Sequence, residues 1–135
     1  MIRAKANTAL GYKALAIWFL VAAVLATLAF AAPALAVAPA KTTLTIRADG
    51  LDLSGTVESS RLSCVDGRNI KLYKQLGTTQ NPSTDTLIGE DTSERHGSHG
   101  EWSTGNTGIS GKFYARTSKV PGCTGATSNT IIARR

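Results

Sequence analysis

The chain is poor in the residues from which reaction centres are built. Its 135 residues hold only two cysteines and two histidines. No Cys-x-x-Cys pair occurs, which removes a thioredoxin-type redox centre, and two sulfurs alone cannot complete a zinc shell. No serine sits in a Gly-x-Ser-x-Gly elbow, and no Asp-x-Asp-x-Asp-Gly run offers a calcium loop. There is no internal repeat and, beyond the N-terminal region, no helical period. Only one long apolar run exists, from Ala14 to Ala32, so the remainder of the chain has nothing with which to span a bilayer as a helix.

That run carries no charge. Arg3, Lys5 and Lys13 precede it, and Ala34-Leu35-Ala36 follows with the small-x-small spacing of a signal-peptidase site. This three-part anatomy predicts a secretory signal peptide over residues 1–36, a short Pro/Ala linker over 37–40 and a domain over 41–135. The competing reading is a retained anchor, because the run approaches the ~20 residues that cross a membrane. Without the three basic residues of the leader, 12 Lys/Arg face 9 Asp/Glu, a balance of +3 in place of +6. Nucleic acid would call for a stronger basic field. A weak attraction to anionic cell-wall polymers fits the balance, as does an ordinary surface of mixed charge.

Two cysteines in an exported domain predict one disulfide, Cys64 to Cys123. The loop it would close is about sixty residues long, worth ~4 kcal/mol in chain entropy, against the ~5–15 kcal/mol that holds a small domain together.

Period-two alternation sets the rest. Lys41 to Arg47 turns Leu44 and Ile46 to one side and Thr43, Thr45 and Arg47 to the other. Leu51 to Glu58, Asn69 to Leu76, Thr86 to Asp91, Glu101 to Asn106, Lys112 to Lys119 and Ser128 to Ala133 supply six further strands. Gly55, inside the second, marks a bulge or a close approach of backbone. Gly77 to Asp85 is polar and breaker-rich, and is expected to be a loop open to water. Thr92 to Gly100, TSERHGSHG, is expected to be a loose glycine-rich loop. Seven short strands predict an all-β fold, a seven-stranded antiparallel β-sandwich of Ig-like or prealbumin-like type, following an N-terminal signal helix. The expected core is Leu44, Ile46, Leu53, Val57, Ile70, Leu72, Leu87, Trp102, Phe113, Ala115 and either Ile131 or Ile132.

The order Gly55-Thr56-Val57, Cys64, Gly67-Arg68-Asn69-Ile70-Lys71-Leu72-Tyr73, Gly100-Glu101-Trp102, Gly111-Lys112-Phe113-Tyr114-Ala115, Cys123 and Ser128 to Ile131 resembles a group of secreted actinobacterial domains. These are similar to transthyretin-like, carboxypeptidase-regulatory and collagen-adhesin B-type sandwiches. The likeness runs from Lys41 to Ala133 and implies paired cysteines and an accessory, adhesion or spacer role. Carboxypeptidase zinc chemistry belongs to a separate domain and does not carry over. The loop TSERHGSHG departs from the group's layout, in which the turn before Gly-x-Trp is shorter.

Several clusters bear on function. Tyr73, Tyr114, Lys71, Lys112 and Arg116 would share an outward face if the third and sixth strands are neighbours. Aromatics flanked by cations stack on sugars or on the side chains of a partner, although the same residues also serve as a plain cross-strand cover. His96 and His99, with Asp91, Glu94 and Glu101 nearby, carry the ligand types of a divalent transition ion, against the reading of a solvated loop. Ser98 between them has no elbow or buried setting for hydrolysis. The resemblance to collagen-adhesin B-type sandwiches, which often carry a Lys–Asn isopeptide bond, implies one further candidate: Lys41, Asn129 and either Glu58 or Glu101, if the first and last strands paired in apolar surroundings. The resulting expectation is a secreted non-catalytic module that binds an extracellular protein or cell-wall glycan, or acts as a spacer. It has no cofactor, no nucleic-acid partner and no stable membrane insertion once the leader is gone. The alternative is a metal-binding protein or hydrolase using the His96/His99 loop.

Overall fold

A computed structural model describes residues 36–135; the leader expected over 1–36 falls, except for Ala36, outside the described residues. The strands are β1 (Thr42–Leu44), β2 (Arg47–Asp49), β3 (Asp52–Ser59), β4 (Asn69–Lys74), β5 (Thr86–Thr92), β6 (Glu94–His96), β7 (His99–Asn106), β8 (Gly111–Thr117), β9 (Ala126–Thr127) and β10 (Ile131–Ala133). They form two antiparallel five-stranded sheets. One runs β1-β3-β7-β6 with β2 also on β3; the other runs β10-β8-β4-β5 with β9 also on β8. Among the described residues no helix is long and apolar enough to cross a membrane.

Each of the seven expected strands has a counterpart, and β2, β6 and β9 are additional. The first expected strand divides because the peptide after Thr45 turns out of the ladder. The Thr45 amide still donates to Thr56 O at 2.9 Å, but the Thr56 amide donates to the Thr45 hydroxyl at 2.8 Å. The freed carbonyl of Thr45 lies over Gly55 and accepts from Trp102 Nε1 at 3.3 Å. A Cβ at residue 55 would collide with that carbonyl, so the glycine is there for a close backbone approach.

Both sheets contribute to one core. Leu44, Ile46, Leu51, Leu53, Val57 and Trp102 come from the first; Ile70, Leu72, Phe113, Ala115 and Ala133 come from the second. One core expectation needs correction and one alternative is decided. Leu87 is 46 % exposed, because a register shift between Leu72 and Tyr73 sets it opposite Tyr73 on the outer face. The extra residue, Ile88, packs against the core in its place. Of the final pair, Ile131 packs partly against the core and Ile132 is exposed.

The two ends of the body are distinct. Ala40 bridges to Cys123, past the end of β8, through Ala40 N–Gly122 O and Thr124 N–Ala40 O bonds of 2.9 Å each. Ala133 pairs with Gly111, at the start of β8. The strands therefore enter at one end of β8 and leave at the other.

Candidate functional site

Cys64 and Cys123 are joined and both are buried. Cys64 ends a short 3-10 turn, Leu62–Cys64, between β3 and β4; Cys123 lies in the return between β8 and β9. The bond thus ties the crossing from one sheet to the other to a return within the second sheet. Beside it sits Arg68, 2 % exposed. Its Nη1 donates to Thr42 Oγ1 at 3.1 Å and Cys64 O at 3.0 Å. Its Nη2 donates to Ser118 O at 2.7 Å and Thr124 O at 3.1 Å. Among the described residues no carboxylate accompanies the guanidinium and Nε has no partner, and burial pulls its pKa below the ordinary value. Four acceptors from three segments, fixed by one planar fork, make Arg68 the polar counterpart of the disulfide. Sequence reasoning missed it, since an arginine after Asp66-Gly67 reads as a turn residue.

The strand pairing places the expected aromatic and basic residues together. β4 and β8 are neighbours, with Lys71 opposite Arg116 and Tyr73 opposite Tyr114. The two tyrosine rings stack, centroids 5.4 Å apart and 13° from parallel. Tyr114 is nevertheless fully buried. It points away from the core but lies under the segment 77–85, which folds back over this sheet instead of standing open. Tyr114 Oη donates to Asp85 Oδ2 at 2.8 Å, and Asp85 also accepts the amides of Leu76 at 2.9 Å and Asn81 at 2.7 Å. The backbone donors at Leu76 and Asn81 hold the Asp85 carboxyl below its usual range, and the Tyr114 hydroxyl adds to this. Burial, then the carboxylate partner, pushes the Tyr114 phenol up. Gln80 anchors the same segment to Ser128 O and Thr130 Oγ1 at 3.0 and 2.9 Å. What stays accessible on this face is the half-buried Tyr73, the exposed Lys112 and Arg116, and Lys71, which is 3.5 Å from Glu90. A shallow cleft of about 250 Å³ lies between Gln80, Pro82 and Arg116.

The stretch expected as a loose loop is an ordered hairpin. β6 and β7 pair Glu94 with Glu101, Arg95 with Gly100 and His96 with His99, leaving only Gly97-Ser98 as the loop, with Gly97 at φ +65°. Its root is buried at Ser93, whose hydroxyl accepts the Arg68 amide at 3.0 Å and donates to Val65 O at 2.8 Å. Gly100 lies so close to Val65 O that a side chain there would collide with it. Glu94, His96, His99 and Glu101 all project from the outward face, by register. His99 Nε2 is 3.2 Å from Glu101 Oε1, and this contact holds the Glu101 carboxyl below its ordinary range. As the side chains stand, no three metal-ligating groups converge among the described residues.

Lys41 and Asn129 do not meet: β1 pairs with β3 and β10 with β8, in different sheets, and both residues are exposed. The strand arrangement thus withholds the buried triad that an isopeptide bond requires. No protein-family model matches the chain, and no curated protein matches it significantly.

Proposed function

We propose that the protein is a secreted, non-catalytic β-sandwich module of Ig-like or prealbumin-like type, similar to transthyretin-like and carboxypeptidase-regulatory domains. It binds or spaces at the cell surface or in the extracellular medium. The observation that carries this reading is the separation of entry and exit. Ala40 lies against Cys123 at one end of β8, and Ala133 against Gly111 at the other. Opposite ends give one stapled body two separate attachment points, as a spacer needs. The disulfide, buried at the entry end, fits an oxidising compartment. On the β4–β8 face Tyr73, Lys112 and Arg116 supply an amphipathic ring and two cations for a glycan or an acidic protein surface.

The test is co-sedimentation with envelopes of the producing cells and capture of extracellular protein. The parent is expected in the envelope or extracellular fraction. Tyr73→Ala combined with Lys112→Ala and Arg116→Ala is expected to lower its retention while the chain stays folded, the lost Tyr73–Tyr114 stack costing only about 1 kcal/mol. Recovery of the parent only from the cell interior, or equal retention of parent and triple variant, overturns the reading.

A further inference from the structure

We infer that the β6–β7 hairpin is a binding site for a divalent late-transition ion (zinc, copper or nickel), held by the imidazoles of His96 and His99. This goes beyond the module function and does not depend on it. A glycine-rich loop would have to be ordered before it could bind, at the expense of affinity. That objection does not apply to the hairpin, which is closed by a two-residue loop and rooted in the buried Ser93. His96 and His99 are directly opposed across it. Opposed residues on one face stand roughly 5 Å apart at Cβ, a spacing that two imidazoles can close over one ion with bonds of ~2.1 Å. Both residues are at least partly exposed, and among the described residues no hydrogen bond engages the ring of His96.

Glu101 fixes the second imidazole. Its carboxylate can only accept, so the His99 Nε2 at 3.2 Å is the donor in this contact, which leaves Nδ1 as the nitrogen to face an ion. A carboxylate holding the far nitrogen of a histidine is the usual outer partner of a metal-bound imidazole. Asp91, Glu94, His96 and Glu101 line one cleft of about 460 Å³ with Arg47 on its wall, while His99 lines a second cleft with Lys41 and Glu58, so the His99 ring has to swing toward His96 for both to meet one ion. Water completes the coordination, as befits a two-ligand surface site.

The test is calorimetric titration of Zn²⁺, and separately Cu²⁺, into the untagged full chain near pH 7.5. One ion per chain is expected. His96→Ala and His99→Ala should each weaken binding at least tenfold, and the double variant should abolish it. Melting temperatures without metal should be unchanged, since both side chains are on the surface. Glu101→Ala is expected to weaken binding about tenfold. Glu101→Gln, which keeps a carbonyl acceptor for the Nε2 proton, should recover part of that loss. No binding by the parent, or single-histidine variants that bind as tightly as the parent, overturns the proposal. Equal loss in the Ala and Gln variants removes the positioning role of Glu101.

Discussion

Arg68 concentrates more of the fold's polar organisation than any other described side chain. Its fork satisfies acceptors on β1, the disulfide turn and the return after β8. Arg68→Ala would leave buried carbonyls without donors and is expected to lower stability by about 3 kcal/mol or more, read from the urea midpoint. Arg68→Lys should rescue little, because an ammonium cannot span four acceptors in a plane. The Asp85–Tyr114 contact gives a signed pH dependence. The carboxyl's folded pKa is depressed, so its stabilisation is complete above the unfolded value near 4 and is lost as pH falls through the folded value. The phenol's folded pKa is raised, so its stabilisation holds below about pH 10 and is lost at higher pH. Asp85→Asn should therefore flatten the acid limb of the stability–pH curve. Tyr114→Phe should flatten the alkaline limb and cost about 1–2 kcal/mol at neutral pH. Unaltered limbs in both variants would contradict the assignment. Neither Arg68 nor Asp85 was legible in the sequence, because each gains its role from partners brought in by distant segments.

Among the elements, two glycines make the sharpest case. In an ordinary strand Gly→Ala gains ~0.4–1 kcal/mol by restricting the unfolded chain. Gly55→Ala and Gly100→Ala should do the reverse, because each Cβ would run into the carbonyl of Thr45 or Val65. A loss of about 2–4 kcal/mol is expected in thermal or urea unfolding, by analogy with overpacked cores. Alternation found seven of the ten described strands, because Leu53, Val57, Ile70, Leu72, Phe113 and Ala115 lie inward by period alone. It failed at Leu87, where the bulge shifts the phase by one residue. It also failed at Thr92 to Gly100, where the glycines that suggested looseness are a hairpin turn and a packing point. The segment 77–85 reads as polar and is largely exposed, yet three of its side chains, Gln80, Pro82 and Asp85, turn in over Tyr114. Composition alone does not reveal which polar residues of a loop look inward.

For the whole molecule, two thin sheets share a small core, and a covalent link closes 59 residues of sequence between them. Such a loop is worth on the order of 4 kcal/mol, a sizeable share of what holds a domain of this size. At this scale the two cysteines foretell the disulfide and strand-length alternation foretells the two sheets, so the braced all-β body is legible in the sequence. The face it would use was less legible, since the cover over Tyr114 depends on tertiary packing. The most direct check is intact-mass analysis of the protein recovered from outside the producing cells, alkylated without reductant. The account predicts no alkylation at Cys64 or Cys123 until the chain is both unfolded and reduced. Two readily alkylated thiols in the native protein would contradict it.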